Sequence, residues 1–195
     1  MARPGTGNSE PGALLAPVNN GVNLTVIHGY NDPAYDKQNP EVCNVGTARD
    51  HCANQQFGLD MKPGSGWDKK ILAPAPGTPK AFVSGAGGDC LLFTLDDGLN
   101  LNICHFAQER TDLLGKHVER GTVLGTAATS WIHLSLDARP KQCTGGWKFL
   151  NKKSSYYCPI EFVFPHTLEG KSLSSDGSTN QWKNTSFVSS NNELP

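Results

Sequence analysis

Long apolar runs are missing from this 195-residue chain. No stretch approaches the roughly 18 consecutive apolar residues that a membrane-spanning helix requires, so a helical span is excluded. A surplus of either charge is missing too, because 17 lysines and arginines stand against 18 aspartates and glutamates. Without a basic stripe or a polybasic tail there is no electrostatic footprint for nucleic acid or for an anionic membrane surface. Methionine is scarce, with two residues, and long amphipathic runs are few, which argues against a helical protein. The opening Met1-Ala2-Arg3-Pro4-Gly5-Thr6-Gly7 lacks the apolar stretch of a signal peptide. That fits either a cytosolic protein or the mature part of an exported one.

What is abundant points to strands. Thirteen prolines and 21 glycines break the chain into short segments joined by turns, so the expected class is mostly β. The length suits one domain, since domains hold about 100–200 residues. The expected organisation is an irregular arm over 1–20, a β domain over 21–164 and a Ser, Asn and Gly rich tail over 165–195. No internal repeat is present.

Six cysteines fall into three sequential pairs, Cys43/Cys52, Cys90/Cys104 and Cys143/Cys158, with no CxxC spacing. Fifteen pairings are possible in principle, but the middle one has a physical argument. The runs Cys90–Leu95 and Leu99–Cys104 flank Asp96-Asp97-Gly98, a three-residue hairpin loop with glycine where a left-handed residue is wanted. Setting Leu95 opposite Leu99 sets Cys90 opposite Cys104, and opposed residues at a non-hydrogen-bonded site lie about 4.5 Å apart, within disulfide reach. Sequential spacing extends the expectation to Cys43–Cys52 and Cys143–Cys158. An even, paired count favours an oxidising, extracytoplasmic compartment over six reduced thiols.

Along the chain, Leu24–Ile27 reads as a first strand ending at His28, and Phe57–Met61 as a short second one. Ile71–Thr78 enters a tight bend, and Ala81–Gly85 follows as a strand. Val118–Gly125 suits a strand that turns sharply at both ends. Ile132-His133-Leu134-Ser135-Leu136 alternates cleanly, which puts Ile132, Leu134 and Leu136 on one face and His133 and Ser135 on the other. His117 and His166 read as solvated loop residues, and Trp131, Trp147 and Trp182 as packing residues rather than a sugar platform. Asn23-Leu24-Thr25 and Asn184-Thr185-Ser186 are glycan acceptors in a glycosylating host only.

Three segments carry chemistry: Gln56-Phe57-Gly58-Leu59-Asp60, Ile103-Cys104-His105-Phe106 and Trp131-Ile132-His133. In order and spacing, over about residues 55–137, they resemble the lysostaphin-type zinc endopeptidases, which cut peptide cross-links of bacterial peptidoglycan. Those enzymes hold zinc through a His-x-x-x-Asp motif and the second histidine of a His-x-His motif. A lone histidine between the motifs, with the first histidine of His-x-His, activates water. The resemblance therefore implies Asp60 and His133 as metal ligands, Gln56 at the first ligand position, His105 as the catalytic residue and Trp131 lining the substrate groove.

Two positions depart from the pattern. Gln56 offers an amide where an imidazole is expected, and Trp131 neither ligates nor accepts a proton. His51 or His28 is a candidate replacement ligand. The implied fold is a single antiparallel β-sheet or sandwich domain, stapled by disulfides. The implied function is a secreted, monomeric, zinc metalloendopeptidase-like protein acting on cell-wall peptide. The alternatives are an inactive homologue that binds wall peptide or a partner protein, and an unrelated secreted β binding domain.

Overall fold

The structure, a computed structural model, describes residues 13–30, 58–84, 87–138, 147–148, 156–160, 162–163, 165–176, 178 and 181–194. Eleven strands follow one another in the described chain: β1 (Asn23–His28), β2 (Leu59–Pro63), β3 (Lys70–Leu72), β4 (Gly77–Val83), β5 (Asp89–Leu95), β6 (Asn100–Glu109), β7 (Val123–Ala127), β8 (Ile132–Ala138), β9 (Trp147–Lys148), β10 (Tyr156–Ile160) and β11 (Ser186–Val188). The helical content described is one 3-10 turn, Thr111–Leu113. The protein is mostly β, as its glycines and prolines imply.

All the named strand pairs are antiparallel, and the main path runs β11-β1-β2-β8-β6-β5-β4. Alternation decides which face each residue takes. Leu24, Val26, Leu59, Met61, Leu91, Phe93, Leu101, Ile103, Ile132, Leu134 and Leu136 are all buried in one apolar cluster. The residues between them, Asp60, Asn102, His133 and Ser135, lie on the opposite face and are buried as well.

The β5–β6 hairpin has the expected register. The Leu95 N–H donates to the Leu99 carbonyl at 2.8 Å, and Gly98 turns the chain at φ 85°. Cys90 stands opposite Cys104, with Cα atoms 3.9 Å apart, and the two are disulfide-bonded. Cys43, Cys52 and Cys143, and the side chain of Cys158, lie outside the described residues.

The division of the sequence at 20 and 165 is not a division of the core. Leu14, Ala16 and Val18 from the first segment, and Leu168, Leu173 and Phe187 from the last, are buried in the same cluster. β11 extends the sheet by pairing with β1. The composition of these segments marks irregular chain rather than external chain, because their backbone groups find partners. Leu14 N–H donates to Thr167 O at 2.8 Å, and the Glu169 carboxylate accepts from Ala16 N–H at 2.7 Å and Ser190 Oγ–H at 2.7 Å.

On its edge away from β5, β6 pairs with β8 as far as Cys104 and with β7 from Phe106 onward. His105 sits at this change of partner, and its backbone is left-handed, φ 80°. A side chain at such an angle carries strain that the surrounding structure must hold. Here the Ala128 N–H donates to the His105 carbonyl at 2.7 Å.

Candidate functional site

Register draws four of the sequence-derived positions into one rank across the sheet. His28 on β1 pairs with Asp60 on β2, Asp60 with His133 on β8, and His133 with Cys104 on β6. His28 joins the rank because of a bulge. The pairing passes from Val26↔Met61 to His28↔Asp60, and one extra residue in a strand reverses the face taken by the residues after it.

Asp60 and His133 touch. The His133 Nδ1–H donates to Asp60 Oδ1 at 2.9 Å, with both residues buried. A carboxylate accepts only, so Nδ1 carries the proton and the lone pair of the neutral ring lies on Nε2. Carboxylate-to-histidine pairs of this kind orient imidazoles at metal centres and at proton-transfer sites alike.

Zinc chemistry requires three protein ligands and one open position. Among the described residues, no three His, Cys, Asp or Glu side chains converge closely enough to hold an ion. Asp60 and His133 by themselves do not fit such a centre, and the register neighbour His28 does not complete one. Gln56 and His51 lie outside the described residues.

His105 and Trp131 form the second half of the site. The Trp131 Nε1–H donates to His105 Nε2 at 3.1 Å, and the rings meet edge to face with centroids 5.6 Å apart. Indole nitrogen can only donate, so Nε2 of His105 is the acceptor and the proton sits on Nδ1. Nδ1 lies 3.2 Å from the Gly87 carbonyl and donates to it. Both ring nitrogens are thus engaged within the chain, and the tautomer is set. Burial pulls the His105 pKa below its ordinary value, opposed by the charge of Asp60 and the Gly87 bond.

Two supporting residues carried no sequence signal. Thr129 anchors Trp131 from both sides: its Oγ1–H donates to the Trp131 carbonyl at 2.6 Å, and the Trp131 N–H reaches back to Oγ1 at 3.4 Å. The Gly87-Gly88 turn presses on His105. A Cβ on Gly88 would lie 2.7 Å from the Phe106 carbonyl and 3.0 Å from the His105 Cα, at φ 123°. Only glycine allows that approach.

Outside the site, the two histidines expected in solvated loops each hold an aspartate of the β5–β6 turn. His117 Nε2 lies 3.0 Å from Asp96 Oδ1, and His166 bonds Asp97. His117 is half-exposed, while the His166 side chain is largely covered. Burial raises the Asp97 pKa, but the Leu99 N–H and His166 outweigh it and hold the carboxyl below its ordinary value. Trp182 packs against the core, as expected of it.

The chain matches no protein-family model and no curated protein.

Proposed function

We propose that this chain is a lysostaphin-like, zinc-peptidase-like protein of the bacterial cell wall that binds wall peptide on the face around Asp60, His133 and Trp131, with its hydrolytic machinery disabled. One observation carries the reading: the Trp131 indole N–H occupies His105 Nε2. A general base must present a lone pair to the proton it takes. In this arrangement the lone pair of the candidate base is already bound by a residue that cannot pass a proton on. The resemblance supplies the substrate class, and the Cys90–Cys104 disulfide suits an oxidising compartment outside the cytoplasm.

A weakly active zinc endopeptidase is the second reading. It is favoured by the direct contact of Asp60 with His133, two positions that the family uses as ligands. One set of measurements separates the two. Calorimetry with a synthetic glycine-containing cross-link peptide should show binding by the unmodified chain, while release of new amino termini from purified peptidoglycan, with zinc added, stays at background. The combined Gln56→His and Trp131→His variant should gain zinc binding and turnover. Robust hydrolysis by the unmodified chain would establish the second reading, and absence of peptide binding would remove the first.

A further inference from the structure

Outside the contact of Asp60 with His133, the most constrained chemistry in the described molecule is the His105 ring. It stands on a left-handed backbone at the point where β6 changes partner. It is clamped between a donor that can only donate and an acceptor that can only accept. The donor is Trp131 Nε1–H at 3.1 Å and the acceptor is the Gly87 carbonyl at 3.2 Å. This arrangement tolerates one protonation state. A neutral imidazole has one N–H and one lone pair, which match the two partners; an imidazolium has two N–H groups and no lone pair. Adding a proton at Nε2 turns the Trp131 contact into two donors facing each other, while the Gly87 contact survives unchanged.

The geometry points to a proton-operated latch, in which protonation of His105 releases the Trp131 indole from its anchored position two residues before His133. The side that lets go is set by the structure. Gly87 adjoins Gly88, where an added Cβ would strike the Phe106 carbonyl and the His105 backbone, so this turn lies directly against the β6 backbone. Trp131 belongs to the short connection between β7 and β8, where Thr129 bonds its backbone and not its indole. Among the described residues, the charge that acts on His105 is Asp60 on β2, itself bonded to His133 on β8. The connection after β7 bonds the His105 carbonyl through the Ala128 N–H, and the turn before β5 bonds the ring through the Gly87 carbonyl. Asp60 favours the charged ring and so helps acid open the latch; burial works against it. What the latch controls rests on the reading of this face as a peptide-binding face, whereas the latch itself does not.

Nuclear magnetic resonance of the full chain, from about pH 7.5 to about pH 5 across the histidine range, tests this directly. The Trp131 indole signal is identified by its loss in Trp131→Phe, and the His105 ring signals by their loss in His105→Gln. At the upper pH the His105 ring should be the Nδ1–H tautomer. As His105 titrates, solvent exchange of the Trp131 indole proton should rise about tenfold with the same midpoint, the effect of losing roughly one net hydrogen bond. In His105→Gln the amide oxygen still accepts from the indole and does not titrate, so exchange should stay slow and independent of pH. Trp131→Phe gives a separate arm, because without the indole donor the neutral ring loses a partner and His105 should titrate at a higher pH than in the parent. Unchanged indole exchange through the His105 titration, an Nε2–H tautomer at neutral pH, or an unmoved His105 midpoint in Trp131→Phe would each overturn the latch. Binding of the synthetic cross-link peptide is measured alongside. A pH-dependent affinity in the parent that becomes flat in His105→Gln supports control of binding. Absence of binding at every pH, with the indole response intact, overturns the functional reading and leaves the latch standing.

Discussion

His105 makes folding itself sensitive to pH. Its pKa in the folded chain lies below the ordinary histidine value, chiefly because burial disfavours the charge. The unfolded chain therefore takes up a proton at a higher pH than the folded chain does, and stability falls as pH drops between the two. Above the ordinary value the full stability is present; below the depressed one the whole penalty has been taken. The midpoint of urea unfolding should fall between about pH 7.5 and pH 5, and His105→Gln should remove this component. The Asp60 and His133 pair is tested by substitution. With both side chains buried and 2.9 Å apart, Asp60→Ala removes the acceptor of the His133 Nδ1–H. The expected cost is about 1–3 kcal/mol in chemical denaturation, the range for an unsatisfied buried polar group. A loss below experimental error would mean that solvent or another side chain replaces the carboxylate at once.

At the scale of elements, the β5–β6 hairpin is the part whose geometry the chain states locally. A turn glycine, alternating apolar residues and two cysteines at matching distances from the turn all specify one register, and a slip by one residue would carry Leu91, Phe93, Leu101 and Ile103 out of the core. The Cys90–Cys104 bridge closes a loop with a sequence separation of 14, and a loop of that length is worth about 3 kcal/mol in the chain-entropy description. The Cys90→Ala and Cys104→Ala double variant should therefore lose about that much in chemical denaturation. The bridge also lies one residue before His105, so the variant's indole exchange at Trp131 should rise even at neutral pH. A chain with unchanged stability after removal of the pair would show that cross-strand packing alone maintains the register.

At the scale of the whole molecule, the two end segments close the core from opposite sides of the sequence. Asn191, fully buried, donates through Nδ2 to the carbonyls of Ala16 and Ala73, each at 3.1 Å. One side chain near the C-terminus thus joins the first segment to the turn after β3. Asn191→Leu would leave both carbonyls without that donor, with an expected loss of about 1–3 kcal/mol. Deleting residues 165–195 goes further, because it uncovers the β1 edge now paired by β11. Such an edge is a template for pairing with other chains. The deletion should give an aggregating protein in light scattering; a soluble, cooperatively melting product would show that the end segments only decorate the sheet.

Local pattern by itself determined the β class, the faces of β8 and the β5–β6 register, because strand alternation and turn chemistry act over a few residues. It also put His133 on the face opposite Ile132, Leu134 and Leu136, whereas the sharing of that face with Asp60 came with the pairing of β2 to β8. It did not determine that the end segments are buried, because irregular chain shows no period and its burial depends on distant partners such as Ala73 and Thr167. The bulge that brings His28 beside Asp60, the left-handed turn of β6 at His105 and the closure of Trp131 on that ring came from tertiary structure alone. Each depends on backbone register and hydrogen bonds between segments some 18 to 32 positions apart in sequence, as with Gly87 and His105 or His28 and Asp60. A sequence states which donors and acceptors exist; only the fold decides which donor reaches which lone pair.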